Sequence, residues 1–309
     1  MPYPIEKKLV VGVSSSALFN LEKEEAIFSN QGPEAFDQYQ VDNKMNILEK
    51  GVALPFVQRF LNINKHYPEE QPVEVVLLSK NSPNACIRVF NSIKEYDLDI
   101  SRAVFTTGKS PFQYIPAYNI SLFLSTNISD VEKAITAKYP AGRFINSPVF
   151  DDGDNELRVA FDFDGVIADD AAEKVYKETK NLADFHKYET EHIVEPHTPG
   201  PLADFFKKLA FFQKLETKKH NSDPKYNRLL RTAIVTARNA PSHERAVNTL
   251  NEWGVSVDEM FLMGGVDKSR VLKIFKPHIY FDDQLVHLDS NSSKIPLVHI
   301  PFGIANESK

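Results

Sequence analysis

Two acidic clusters in this chain sit at the ends of apolar runs. Asp162 and Asp164 belong to Phe161-Asp162-Phe163-Asp164-Gly165, after the run Leu157 to Phe161; Asp282 and Asp283 follow Pro277-His278-Ile279-Tyr280-Phe281. Between them, Ala233-Ile234-Val235-Thr236-Ala237-Arg238 ends an apolar run in a hydroxyl and a guanidinium, and Lys268 opens a helical stretch. Carboxylates two residues apart share a face on a strand, and in the loop beyond it both can turn toward one ion. Mg²⁺ takes a few carboxylates together with phosphate oxygens and water, which suits Asp162, Asp164 and one of Asp282 or Asp283. A carboxylate beside the metal can attack phosphorus, while a second can protonate the departing alcohol and later activate water. Thr236, Lys268 and Arg238 are placed to hold phosphoryl oxygens as their charge shifts in the transition state.

These groups need strands that end at one carboxyl edge, where open α/β sheets bind ligands. An isolated Asp-x-Asp is common in loops and caps and says little. The order strand-Asp-x-Asp-Gly, strand-Thr, helix-start Lys, strand-Asp-Asp is more specific, and it resembles the four motifs of the haloacid dehalogenase superfamily of phosphatases. Three further stretches narrow the likeness: Val73-Glu74-Val75-Val76-Leu77-Leu78-Ser79-Lys80-Asn81, Thr107-Gly108-Lys109-Ser110-Pro111 and Gly200-Pro201-Leu202. With the late Phe281-Asp282-Asp283-Gln284, the chain is similar to the type I cytosolic 5'-nucleotidases from about Leu9 to about Gly303. The resemblance implies a haloacid dehalogenase-like catalytic lobe with a helical cap, a Mg²⁺ cofactor and an aspartyl-phosphate intermediate. It also implies hydrolysis of AMP-like nucleoside 5'-monophosphates in the cytoplasm, and leaves room for a nucleotide effector and a homo-oligomer. Animal members carry Asp-Gly-Asp where this chain has Asp162-Phe163-Asp164; both acids survive, and only backbone freedom beside the phosphate differs.

Composition sets outer bounds. With 309 residues, 42% hydrophobic and 25% charged, the chain is long enough for two domains with substantial cores. A net charge of -6 without a broad basic stretch argues against nucleic acid as a partner. The single cysteine, Cys86, excludes an internal disulfide, fits a reducing compartment and reads as core packing. No apolar run approaches a membrane span, and Leu9 to Val13 is too short for the apolar region of a signal peptide.

The chain also repeats itself. An offset of 157 sets Ser125 against Asp282, Gly108 against Gly265, Tyr96 against Trp253 and Pro111 against Lys268; near the start an offset of 148 sets Val11 against Val159. Around the second strand an offset of 158 pairs Lys80 with Arg238 and Leu78 with Thr236. Drifting offsets are what loop insertions leave between duplicated domains. In the first copy Ser14, Ser16, Ser125 and Thr126 replace the four acids, so it can hold neither the metal nor a covalent intermediate. The sequence therefore predicts two similar Rossmann-like α/β lobes with mostly parallel sheets. Residues 1–150 would be catalytically silent, and residues 151–309 catalytic, with a helical insertion at about 170–231 covering the site. Ser79, Lys80 and Asn81 end a strand of the silent lobe in polar groups suited to substrate phosphate or base.

The boundary is placed at Ser147 to Asn155, rich in Pro, Asp and Gly. Asp151, Asp152 and Asp154 lack the Gly and distal Glu of a calcium loop and read as solvated linker. Phe185, Phe205, Phe206, Phe211 and Phe212 include candidates for stacking on a base, although core packing is the commoner role. His186, His192 and His197 lack zinc-ligand spacing and read as surface or cap residues. Two other functions remain: the same chemistry on a sugar phosphate or another small phosphomonoester, and a nucleotide sensor without turnover. A sensor has no need of the complete set Asp162, Asp164, Thr236, Lys268 and Asp283.

Overall fold

The computed structural model describes residues 3–145, 151–288 and 294–306. The chain divides into two compact units, Met1–Asp151 and Asp152–Lys309. Residues 147–150 of the predicted boundary stretch lie outside the described residues.

In the first unit the chain runs β1 (Leu9–Val13), α1 (Ser15–Leu18), β2 (Phe19–Asn20), α2 (Glu22–Asp42), β3 (Glu49–Lys50) and α3 (Leu54–His66). It continues through β4 (Val73–Ser79), α4 (Cys86–Glu95), β5 (Arg102–Phe105), β6 (Ile120–Ser125), α5 (Ile128–Thr136) and β7 (Ala141–Phe144). Five of these strands pair in parallel in the order β7-β6-β1-β4-β5. The central strands β1, β4 and β6 are buried along their whole length, as near-continuous runs of Val and Leu require when helices cover both faces. The short β2 and β3 form a separate antiparallel pair. Gly32, at φ +86°, and Pro33 break α2 into two arms, since neither residue continues a helix from the preceding turn.

In the second unit the order is β8 (Leu157–Phe161), α6 (Ala171–Thr179), α7 (Leu182–Glu191), α8 (Ala203–Ser222), β9 (Leu230–Thr236) and α9 (His243–Glu252). Then come β10 (Glu259–Leu262), α10 (Ser269–Phe275), β11 (Ile279–Asp282) and β12 (Leu297–His299). These strands pair in parallel as β10-β9-β8-β11-β12. Phe161 and Phe281 stack at 5.1 Å between ring centres, and Phe206 of α8 meets Phe161 edge-on at 5.3 Å. Among the described residues no helix is long and apolar enough to cross a membrane.

Each unit thus places its first strand at the centre, its second and third strands on one side and its last two on the other. The repeat is tighter than the sequence offsets suggest. From β4 against β9 to α4 against α9 the shift is 157 throughout, Val73 facing Leu230 and Glu95 facing Glu252. Thr236 therefore corresponds to Ser79, not Leu78, and Arg238 to Asn81, not Lys80. The turn bonds agree: Asn81 N donates to Ser79 Oγ at 3.1 Å, and Arg238 N donates to Thr236 Oγ1 at 3.2 Å.

The helical segment of the second unit also has a counterpart. With one extra residue at Gly165 the shift becomes 149, and the two arms of α2 match α6 and α7. Gly51 N donates to Leu18 O at 2.9 Å, and Gly200 N donates to Ile167 O at 2.8 Å. Both glycines lie against backbone that leaves no room for a Cβ. What reads in the sequence as an insertion confined to the catalytic half is thus present in both units. The difference lies in α8, which has 20 residues where α3 has 13. With Phe205, Phe206 and Phe212 buried, α8 belongs to the core, while Phe211 faces out at 64% exposure.

Candidate active site

β8 delivers Asp162 to the sheet edge, where its N–H donates to Phe281 O at 2.8 Å and its Oδ1 accepts from Phe163 N at 2.7 Å. Lys268, immediately before α10, reaches both neighbouring acids, with Nζ 2.6 Å from Asp162 Oδ2 and 2.8 Å from Asp282 Oδ2. Asp282 also accepts from the Tyr280 hydroxyl and from Gln284 N at 2.9 Å, and His287 Nδ1 lies 3.3 Å from it. Thr236, buried at the end of β9, presents its hydroxyl beside the turn to Arg238. The structure thus brings Asp162, Lys268 and Asp282 together; Asp162, Asp282 and His287 also form a group close enough to share one cation.

Asp283 is the exception in this network. It is fully buried, and among the described residues neither carboxylate oxygen has a hydrogen-bond partner. Gly165 packs so close to its carboxyl group that a Cβ would collide with it. Burial, and then the charges of Asp162 and Asp282, push the Asp283 carboxyl up to about 10. Burial also pushes Asp162 up to about 7 despite the Lys268 ammonium, while for Asp282 that ammonium and His287 outweigh burial and hold the carboxyl well below its ordinary range. Lys268, between two carboxylates, is held firmly protonated. A buried carboxyl with two idle acceptor oxygens is costly by itself and suits a hard divalent cation. Of the two acids, Asp283 has the free acceptors, whereas those of Asp282 are taken up by protein donors.

Asp164 faces a different partner. The Arg238 guanidinium grips it through Nη2 to Oδ1 at 2.6 Å and Nε to Oδ2 at 2.8 Å. Arg238 also donates to Glu189 of α7 and to Ser242 O at 3.0 Å. Arg245 of α9 meets the other Glu189 oxygen at 2.9 Å, and His197 Nε2 lies 3.4 Å from Glu189. Burial alone would raise the Glu189 carboxyl, yet His197 and Arg238 hold it down at about 2. His197 is 2% exposed, and although burial works against its charge, Asp169 and Glu189 raise its pKa. It is part of a buried ionic cluster, so of the surface and cap roles the sequence suggests, burial excludes the first. Asp152 and Asp154 lie in an exposed stretch without secondary structure, as a solvated linker would, and both also clasp Arg158. Cys86, half-buried, opens α4 instead of filling the core.

A cavity of about 380 Å³ opens over these groups, lined by Asp162, Asp164, Arg238, Glu173, Tyr176 and Phe185 among others. Glu173, which the sequence did not single out, accepts from Gln284 Nε2 at 2.9 Å and pairs with Lys177 at 2.9 Å. Its signal was the i,i+4 spacing to Lys177, common to many exposed helices. Ser79, Lys80 and Asn81 are not among the residues lining this cavity. Lys80 and Asn81 line one of about 330 Å³ within the first unit, and Ser79 is buried with its hydroxyl 2.9 Å from that of Ser15.

A family model for 5'-nucleotidase matches residues 1–307. The chain belongs to the 5'-nucleotidase family. It is 33% identical over 302 residues to human cytosolic 5'-nucleotidase 1B, a match covering 93% of this chain and 48% of that protein. The chain therefore spans about half the length of this curated 5'-nucleotidase. No solved structure matches it.

Proposed function

We propose that the second unit hydrolyses nucleoside 5'-monophosphates, AMP-like ones included, to nucleoside and phosphate in a Mg²⁺-dependent reaction. The observation that carries this reading is Asp283, buried without a partner beside Asp162. Asp162 and Asp283 would hold the cation together with substrate oxygens, Asp164 is engaged through both oxygens by Arg238, and Asp282 would act by fixing Lys268. When bound, Mg²⁺ neutralises phosphoryl charge and draws the phosphate toward Asp162.

Asp162 attacks phosphorus and forms an aspartyl-phosphate as the ribose oxygen departs. Asp164 protonates that oxygen and then takes a proton from the water that hydrolyses the intermediate. Arg238 keeps Asp164 aimed, and Thr236 and Lys268 stabilise the transferring phosphoryl group. The base rests against Tyr176 and Leu182, which line the cavity at 45% and 51% exposure; Phe185 is already engaged beneath Arg238, whose guanidinium lies 5.4 Å from its ring. α6 and α7 act as the cover that excludes water, and the first unit performs no chemistry of its own. A cytoplasmic location accords with the name of the human relative.

The test is phosphate release from a panel of nucleoside monophosphates and sugar phosphates, with Mg²⁺ and with a chelator. Turnover of nucleotides with Mg²⁺ alone is expected. Turnover confined to sugar phosphates, or none on any substrate, would overturn the reading.

A further inference from the structure

We infer that the first unit carries a second nucleotide site, one that binds the phosphate of a nucleoside 5'-monophosphate without a metal and without hydrolysing it. The inference rests on the proposed substrate class, because it extends that class to the matching cavity of the other unit.

That cavity occupies the same place in its unit as the active-site cavity does in the other. Ser14, Ser16 and Asn81 line it where Asp162, Asp164 and Arg238 line the active site, and Phe36 stands where Phe185 stands, each aromatic 8% exposed. The local framework is also repeated. Ser14 N donates to Leu124 O at 2.8 Å as Asp162 N does to Phe281 O, and Asn127 N donates to Ser125 Oγ at 3.1 Å as Gln284 N does to Asp282. At about 330 Å³ the cavity falls within the range of small-ligand pockets.

What has changed is the charge. Ser14, Ser16, Ser125 and Thr126 replace four carboxylates, and their hydroxyls are linked, Ser14 to Ser16 at 3.2 Å and Ser16 to Thr126 at 2.6 Å. In the second unit a phosphate meets acids that repel it unless a cation intervenes; here hydroxyls can donate to it directly. Two further donors face the same space. The Asn81 Nδ2 is buried with no hydrogen-bond partner among the described residues, an orphan donor that an anionic oxygen would satisfy. Lys80 has its ammonium 3.4 Å from Asp130, which leaves donor capacity to spare. Three acids also line the wall: Glu24 has its charge taken by Arg88 at 2.6 Å, Asp130 faces Lys80, and burial, then the neighbouring Glu22 and Glu24, raise the Glu25 carboxyl toward its neutral form. With Ser14, Ser16, Ser125 and Thr126 at the positions of the nucleophile and the metal-binding acids, the bound phosphate ester stays intact.

The experiment is equilibrium binding of AMP to the full chain in EDTA, with adenosine and inorganic phosphate as competitors. One AMP per chain is expected, displaced by phosphate but not by adenosine at the same concentration. Asn81→Asp, which turns the donor into an acceptor, and Ser16→Asp, which restores a charge, should each weaken binding by at least about tenfold. Asp162→Asn should leave this binding unchanged, and Ser16→Asp should keep wild-type release of p-nitrophenol from p-nitrophenyl phosphate with Mg²⁺. Lack of saturable AMP binding in EDTA, binding that survives both first-unit substitutions, loss in Asp162→Asn, or displacement by adenosine alone would overturn the inference. Failure of Mg²⁺-dependent phosphate release would instead strike the proposed function, so the two can fail separately.

Discussion

Arg238 holds Asp164 by two roughly parallel bonds of 2.6 and 2.8 Å, and the same guanidinium is anchored on its far side by Glu189. A bidentate clamp of this kind fixes a carboxylate in position as well as in charge. Arg238→Lys keeps the charge but not the fork. We expect kcat on a nucleoside monophosphate to fall by roughly ten- to a hundredfold. The fall should be smaller on p-nitrophenyl phosphate, whose leaving group needs no proton; equal losses on both substrates would argue that the clamp serves the phosphate instead of Asp164.

Asp162→Asn should abolish turnover with the fold intact. The amide cannot attack phosphorus, yet it can still accept from Phe163 N, and Lys268 keeps Asp282 as a partner. Phosphate release within about tenfold of wild type, in a variant whose melting temperature is unchanged, would sink the covalent role.

Asp283→Asn separates metal binding from folding. Without metal the native acid is buried and unpartnered, so replacing it should leave the melting temperature in EDTA unchanged or raised. Mg²⁺ at about a hundred times its Kd should stabilise the wild type by roughly 2.7 kcal/mol and the variant far less. Equal Mg²⁺ shifts in the two proteins would assign the metal to other ligands.

Glu189 makes the protein acid-sensitive. Its folded-state pKa of about 2 is below the ordinary value of 4.5, so its contribution is complete above the ordinary value and is lost as pH falls from there toward 2. Glu189→Gln leaves Arg245 with no carboxylate among its hydrogen-bond partners and strips Arg238 of one, and should cost roughly 3–5 kcal/mol at neutral pH. Denaturant titrations at several pH values should show a flatter loss of stability below pH 4.5 in the variant. Nature has made the matching change in the first unit, where Gln40 lies 3.2 Å from Arg88, because Glu24 supplies the charge there.

The sequence by itself determined where the chemistry-bearing acids would emerge. An apolar run long enough to be buried on both faces has few places to end, so Asp162, Thr236 and Asp282 could be set at strand ends, and Lys268 before a helix, from local pattern alone. The same locality made the repeat visible in glycines and strand ends. Register could not be fixed this way: identical residues near Asn81 and Pro83 pulled the offset to 158, and only strand pairing and turn hydrogen bonds set Ser79 against Thr236. The tertiary structure alone decided that Asp282 is saturated by Tyr280, Gln284, His287 and Lys268 while its neighbour Asp283 is left bare. It likewise gathered Glu189, His197, Arg238 and Arg245 into one buried cluster. Which donor reaches which carboxylate depends on the packing of α7 and α9 against the sheet edge, contacts between residues some fifty positions apart that leave no period in the sequence.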